Sequence, residues 1–202
     1  MSSKTLEMAR KLVKRLEEEE KKSKIQLREL HPGDTFKIGD HDFIVLDQNE
    51  YAETTAVISK GFMAKNIRFD EVTRDYSKSN LRKVIEETIQ PIIEAEVGAE
   101  NIVENFVDLT SVDMQEEFSR FKFKVGPITF DEARQYNDLL MNDELNNWWW
   151  TCTPWSTSER GWEYLMTVVA PAGDVSIANC FNCCGVRPFC TLKSNIFVSK
   201  GE

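Results

Sequence analysis

From Lys4 to Lys24 the apolar positions Leu6, Ala9, Val13 and Leu16 recur at 3-4-3 spacing, the a and d sites of two heptads. No Gly or Pro interrupts them, so the pattern predicts an amphipathic helix over residues 4–24, its seam dissolving into the charged run Glu17–Lys22. Two heptads make a marginal coiled coil. Such a helix either packs on its own domain or brings copies of the chain together, and it marks residues 1–26 as an appendage to a body of residues 27–202.

Beyond Ile25 the period shortens. His31-Pro-Gly-Asp34 and Gly39-Asp40 are turn signals that bracket a short strand at Thr35–Ile38. The runs His41–Asp47 and Thr54–Ser59 complete a meander. Ser79–Gln90 reads as a helix closed by Pro91, with a second helical stretch to about Glu96 before Gly98. Thr129 with Glu132 three residues on forms a capping box, which predicts a helix through about Leu140. After Asn146-Asn147 four strand-like runs follow: Trp148–Thr153, Tyr164–Val169, Gly185–Phe189 and Leu192–Val198. Helices in the middle and strands clustered late predict an α+β domain with short antiparallel strands.

Composition narrows the class. With 202 residues the chain is long enough for one self-sufficient core. No apolar run approaches the roughly 20 residues of a spanning helix, and the charged N-terminus has no signal-peptide core. The expected location is the cytoplasm where the chain is made, or a destination reached by a route other than secretion, with no membrane contact. The net charge of -9 disfavours direct nucleic-acid binding. Ten of the acids, and no Lys or Arg, fall between Val84 and Ser119. This run is either a solvated face or a surface that mimics nucleic acid and occupies a channel in a basic partner.

The five cysteines, Cys152, Cys180, Cys183, Cys184 and Cys190, are an odd set. One Cys-x-x-Cys spacing is half a zinc site, and His31 and His41 lie far upstream, so no metal and no cofactor are expected. No nucleophile motif accompanies the two histidines. The chain reads as a protein without catalytic residues.

An ordered set of motifs carries a resemblance. Tyr76-Ser-Lys-Ser79-Asn-Leu-Arg82, Pro127-Ile-Thr129, Trp148-Trp149-Trp150-Thr-Cys-Thr-Pro154, Ala172-Gly173-Asp174 and Gly185-Val186-Arg187-Pro188 follow one another along the chain. In this order they resemble a family of uncharacterised domains of Gram-positive gut bacteria and their phages, marked by a "WWLRSP"-like strand, a "DG" turn and a terminal "GVRP". The resemblance spans Leu27 to Val198. That family is similar to C-type-lectin-like and formylglycine-generating-enzyme-like domains, which implies a C-type-lectin-like fold. It implies a central strand at Val186–Phe189, close backbone approach at Gly185, and an Arg187 fixed by a buried carboxylate or by carbonyls. Trp148 to Trp150 are expected to be mostly core, with Trp149 the one to test for exposure. Asn146-Asn147-Trp148 lacks the acidic partner of a calcium-binding lectin motif. Cys184 and Cys190 depart from the spacing of the copper-holding pair of formylglycine-type oxidases, which leaves that activity as a second alternative.

The segments Trp155–Tyr164 and Ser176–Cys184 mix aromatic with small polar residues and contain no Lys, the composition of a recognition surface. Trp155, Ser156, Ser158, Arg160, Trp162, Ala178, Asn179, Phe181 and Asn182 are expected to share one exposed face that binds a protein or cell-surface ligand. Lectin-like domains also serve as the variable proteins of diversity-generating retroelements, where adenine-directed mutagenesis scrambles Asn codons. The resemblance therefore implies that Asn179 and Asn182 lie in a diversified segment.

Overall fold

The computed structural model describes residues 6–8, 10–14 and 24–201. It is a mixed helix-and-sheet fold. Residues 6–8 and 10–14 are helical, and their apolar side chains Leu6, Met8, Leu12 and Val13 are exposed rather than packed on the body. The seam positions Ala9 and Leu16, and the run Glu17–Lys22, lie outside the described residues. The predicted helix does not extend to Lys24, because Lys24–Gln26 is strand β1, paired antiparallel with the last strand, β15 (Phe197–Lys200). The boundary of the appendage therefore falls before Lys24, not after Gln26.

Strands β2 (Thr35–Ile38), β3 (His41–Asn49) and β4 (Thr54–Ser59) form the expected meander. They belong to an eight-stranded sheet ordered β1-β15-β2-β3-β4-β14-β6, with β9 also on β14. Here β6 is Ile102–Val103, β9 is Val125–Gly126 and β14 is Phe189–Lys193. A second, five-stranded sheet runs β12-β11-β10-β13-β5. Its members are β5 (Ala64–Arg68), β10 (Trp149–Pro154), β11 (Leu165–Val169), β12 (Val175–Asn179) and β13 (Cys183–Val186). A ribbon of β7 (Asn105–Val107) and β8 (Phe121–Phe123) stands apart.

The middle helix passes straight through Pro91. Helix α1 (Asn80–Val84) is capped by the Ser79 hydroxyl, which accepts from the Arg82 N–H. One π-helical turn follows at Ile85–Ile89, and α2 (Gln90–Val97) completes the run. In the π-turn the Gln90 N–H reaches the Ile85 carbonyl, and Pro91 then occupies the first turn of α2, where it needs no donor. The register shift absorbs the proline that would otherwise end the helix. The capping box forms as expected. Thr129 Oγ1 accepts from the Glu132 N–H (3.1 Å) and Glu132 Oε2 from the Thr129 N–H (2.7 Å), ahead of α3 (Phe130–Gln135) and the short α4 (Asn137–Leu140).

The chain passes between the two sheets several times, the last time between β13 and β14. β13 belongs to the five-stranded sheet and β14 to the eight-stranded one, so Arg187-Pro188 is the crossing between them. Val186–Phe189 is thus not one central strand but the break between two. Arg187 is fully buried; its Nε donates to the Ser59 carbonyl (2.9 Å) and one NH group to the Leu140 carbonyl (2.7 Å). Its guanidinium lies 4.9 Å from the centre of the Trp149 ring. Of the two anchors implied for this residue the fold uses carbonyls. Burial pulls its pKa down to about 10, so it remains a cation at neutral pH.

The Trp-rich strand corrects an expectation. Trp149 and Trp150 are both completely buried, whereas Trp148, expected in the core, is 36% exposed. Strict in–out alternation holds for a sheet with one wet face. β10 lies between β11 and β13 with both faces covered, so consecutive rings are both inside. Trp148 precedes the strand and escapes that cover. Gly185 is close to a ring: a Cβ there would collide with the Phe62 side chain. Tyr76, first of the recognised motifs, packs edge-on against Phe121 and Phe123 at the centre of an aromatic core.

Candidate binding surface

The loop that leaves β10 is tied down by a polar network. Arg74, itself buried, donates to Glu117 Oε2 (2.6 Å), to the Ser158 hydroxyl (3.0 Å) and to the Ser156 carbonyl. The Ser158 hydroxyl in turn donates to Glu117 Oε1 (2.6 Å). Next to it, Asp113 accepts from the hydroxyls of Ser111 and Ser156 and from Arg160, each at 2.6 Å. These three donors hold the Asp113 carboxyl below the usual aspartate range, the Ser111 hydroxyl contributing most. A buried cation and two carboxylates thus fasten residues 156–160 to residues 111–117.

The nine residues expected on one exposed face divide three ways. Ser158, Arg160, Trp162, Phe181 and Asn182 are exposed. Trp155, Ala178 and Asn179 are half-buried, and Ser156 is buried. Ala178 and Asn179 are not in a loop: β12 pairs with β11, Met166 opposite Ala178 and Leu165 opposite Asn179. The polar members Ser156, Ser158 and Arg160 spend their hydrogen bonds on the network, which leaves the aromatic ones facing solvent.

Those aromatics form the surface. Trp162 is 42% exposed, and Tyr164 and Phe181 are each 44% exposed. The Tyr164 and Phe181 rings lie 6.1 Å apart. The two loops are joined at the backbone by the Cys180 N–H donating to the Tyr164 carbonyl (2.7 Å), and the first is closed on itself by the Trp162 N–H donating to the Thr157 carbonyl (3.2 Å). Tyr164 was not among the expected contact residues. Its signal was present in the register: a Tyr at the mouth of β11 ends up beside the first residue past its partner strand.

The acidic run is largely answered from within the molecule. Glu86, Glu104, Asp108, Asp113 and Glu117 pair with Arg82, Lys122, Arg120, Arg160 and Arg74, all drawn from outside residues 84–119. Reading that stretch in isolation hid these partners, which fold back onto it from both sides.

The cysteines are dispersed. Cys152, Cys180, Cys184 and Cys190 are buried and Cys183 is exposed, all as free thiols. Burial pushes Cys184 and Cys190 up to about 12, and the two sit in different sheets. Among the described residues no group of three or more His, Cys, Asp or Glu is placed to hold a metal ion. Two clefts escaped the sequence reading. One of about 340 Å³ is bordered by Asp40, His41, Lys60, Phe62 and Asn142. Another of about 600 Å³ lies between Phe106, Met114, Phe130 and Arg134, beside the Asp113 loop.

No family model, no curated protein and no solved structure matches this chain.

Proposed function

We propose that this chain is a C-type-lectin-like binding protein without catalytic activity, which grips a protein or a cell-surface molecule through Trp162, Tyr164 and Phe181. One observation carries the reading: three aromatic side chains stay in solvent, two of them on a loop that the Arg74–Glu117 pair fastens through Ser156 and Ser158, and the third on the segment bonded to it at Tyr164. Exposed aromatics are costly to leave uncovered, and rigid ones lose little entropy when a partner covers them. The resemblance to phage and gut-bacterial domains adds the virion to the cytoplasm as a setting, and the target remains a protein or a cell-surface molecule. In this reading the variable segment of a retroelement-diversified protein corresponds to residues 155–184, around the aromatic surface.

The competing reading, an acidic inhibitor that mimics nucleic acid, needs free negative charge. Five of its ten acids are engaged by the molecule's own cations, which weighs against it. The oxidase reading needs reactive thiols, and burial works against that at Cys184 and Cys190.

The test uses the labelled full chain on glycan arrays and on intact Gram-positive cells. Trp162→Ala with Phe181→Ala should weaken binding by about tenfold or more while the melting temperature stays within error. Binding that survives the double variant, or that collapses instead on Glu94→Lys with Glu100→Lys, overturns the proposal. Sequencing the gene across isolates adds an independent reading. Diversification predicts substitutions concentrated at codons 155–184 with Gly185–Pro188 fixed, and even variation removes it.

A further inference from the structure

The five-stranded sheet ends in two edges that differ sharply. At one edge β5, Ala-Lys-Asn-Ile-Arg, exposes Lys65 and Arg68 and is distorted by Asn66, whose φ is 58°. Charge and irregularity of that kind stop an edge from pairing with another strand. At the other edge β12, Val-Ser-Ile-Ala-Asn, is five residues long, regular in register along its whole length, and free of charge and of proline. Among the described residues every other unpaired edge strand is shorter, or charged as β5 is.

Two backbone bonds fix which groups β12 presents. The Ala170 N–H donates to the Asp174 carbonyl (2.8 Å), and the Cys180 N–H to the Tyr164 carbonyl (2.7 Å). In an antiparallel pair the bonded positions alternate. With Leu165 opposite Asn179 and Val169 opposite Val175, the even-numbered residues Ser176 and Ala178 bond to β11. The N–H and C=O groups of Val175 and Ile177 and the N–H of Asn179 therefore point away from the sheet, while the Asn179 carbonyl accepts from the Asn182 N–H (2.8 Å) in the turn that follows. Ile177 is also 39% exposed.

We infer that this edge is where a second copy of the chain docks, β12 against β12, in antiparallel register about a two-fold axis through Ile177. The sequence is self-complementary in that register. Ile177 faces Ile177 of the second copy, where both N–H and both C=O groups can exchange, and Val175 faces its Asn179, whose N–H can donate to the Val175 carbonyl while its own carbonyl stays with Asn182. Ser176 faces Ala178, and Asp174 faces Cys180 rather than another acid. In a body of net charge -9 such a contact brings two copies together without opposing like charges. The result is a continuous ten-stranded sheet with an isologous interface. The aromatic surface at Tyr164 and Phe181 stays outside the new strand pair and is displayed twice. This contact does not depend on the ligand reading.

Sedimentation velocity of the full chain over a wide concentration range tests it. The wild type should dimerise, and Ile177→Lys should raise the dissociation constant by about tenfold or more by placing two ammonium groups face to face. Ile177→Pro removes an outward donor that β11 does not use, and should act likewise. Val13→Glu, on the exposed N-terminal helix, should leave the dimer intact. A wild type that stays monomeric throughout overturns the inference. So does a dimer that persists in Ile177→Lys, or one lost on Val13→Glu, which would assign the contact to the helix. Trp162→Ala should leave the dimer unchanged while weakening cell binding, so failure here and failure of the recognition surface read out separately.

Discussion

Arg74 and Arg187 are both buried, and they stand at opposite ends of β10 with different kinds of partner. Arg187 meets only neutral groups, the Ser59 and Leu140 carbonyls and the face of Trp149, and stands where the chain passes from one sheet to the other. Arg74 meets a carboxylate, Glu117, and through it holds a surface loop against its neighbour. A planar guanidinium with five fixed donors suits both tasks. The difference lies in what each can lose. Without a carboxylate, Arg187 has no charge partner to replace it, and its value is wholly geometric: it joins β4 to α4 across the crossing. Arg74 shares its load with Glu117, Asp113 and several hydroxyls, so single losses there are partial. The crossing at Arg187 depends on one residue, and the loop after β10 on a network.

The largest effect expected from this contrast is at Arg187. Arg187→Met leaves two buried carbonyls without donors, at roughly 1–3 kcal/mol each, so stability should fall by about 3 kcal/mol or more. A urea titration would show the loss as a lower midpoint at unchanged slope. Arg187→Lys should rescue little, since one ammonium cannot reproduce the fork that reaches both carbonyls. A loss below about 1 kcal/mol would break the comparison, because it would make the crossing as tolerant as the loops.

Gly185 sharpens the same end. Gly185→Ala drives a methyl group into the Phe62 ring, and overpacking of this kind costs about 1–3 kcal/mol. Phe62→Leu in the same chain should recover part of the loss. If Gly185→Ala proves neutral, the ring has room to move and the crossing is less tightly built than its buried arginine implies.

Much of this division was legible in the residues. The turns at His31-Pro-Gly-Asp34 and Gly39-Asp40, the strands at Thr35–Ile38 and Thr54–Ser59, and the Thr129–Glu132 capping box depend on neighbours in sequence, and all formed as read. What depends on distant partners did not show. Pro91 reads as a stop because the π-turn that accommodates it is a tertiary compromise. Trp148 reads as core because the strand boundary one residue later is set by pairing with Val169 and Gly185. Val175–Asn179 reads as loop because Ser and Asn interrupt it, yet β11 supplies a full ladder. At the candidate surface Trp162 and Phe181 are exposed, as their residue types suggested. Residue types could not reveal that Ser156, Ser158 and Arg160 are consumed by acids some 40 residues earlier, since nothing local links the two segments.

At the Arg74 network the expected losses are smaller and local. Glu117→Gln keeps the shape but removes the charge that faces Arg74, at about 1–2 kcal/mol for a partly buried charged hydrogen bond. Amide exchange at Ser158, Arg160 and Gly161 should speed up, while β10 and β13 keep their protection. Uniformly faster exchange in both regions would mean that Arg74 holds the whole fold and the two arginines are equivalent.

The smallest effect is a dependence on acid. The Asp113 carboxyl is held below the ordinary aspartate value of 3.8, chiefly by the Ser111 hydroxyl, with Ser156 and Arg160 adding to it. A group whose folded pKa is depressed gives stability that is complete above its unfolded pKa and disappears as pH falls through the folded one. Its contribution should therefore persist down to the ordinary aspartate range and vanish only below it. Because Asp113 is in contact with solvent, the change belongs to the loop and not to the global melting temperature. Exchange protection at Arg160, followed through that pH window, should drop in the wild type and be low and flat in Asp113→Asn. A wild-type loop that loosens well above the aspartate range would show that Asp113 is not the group that anchors it.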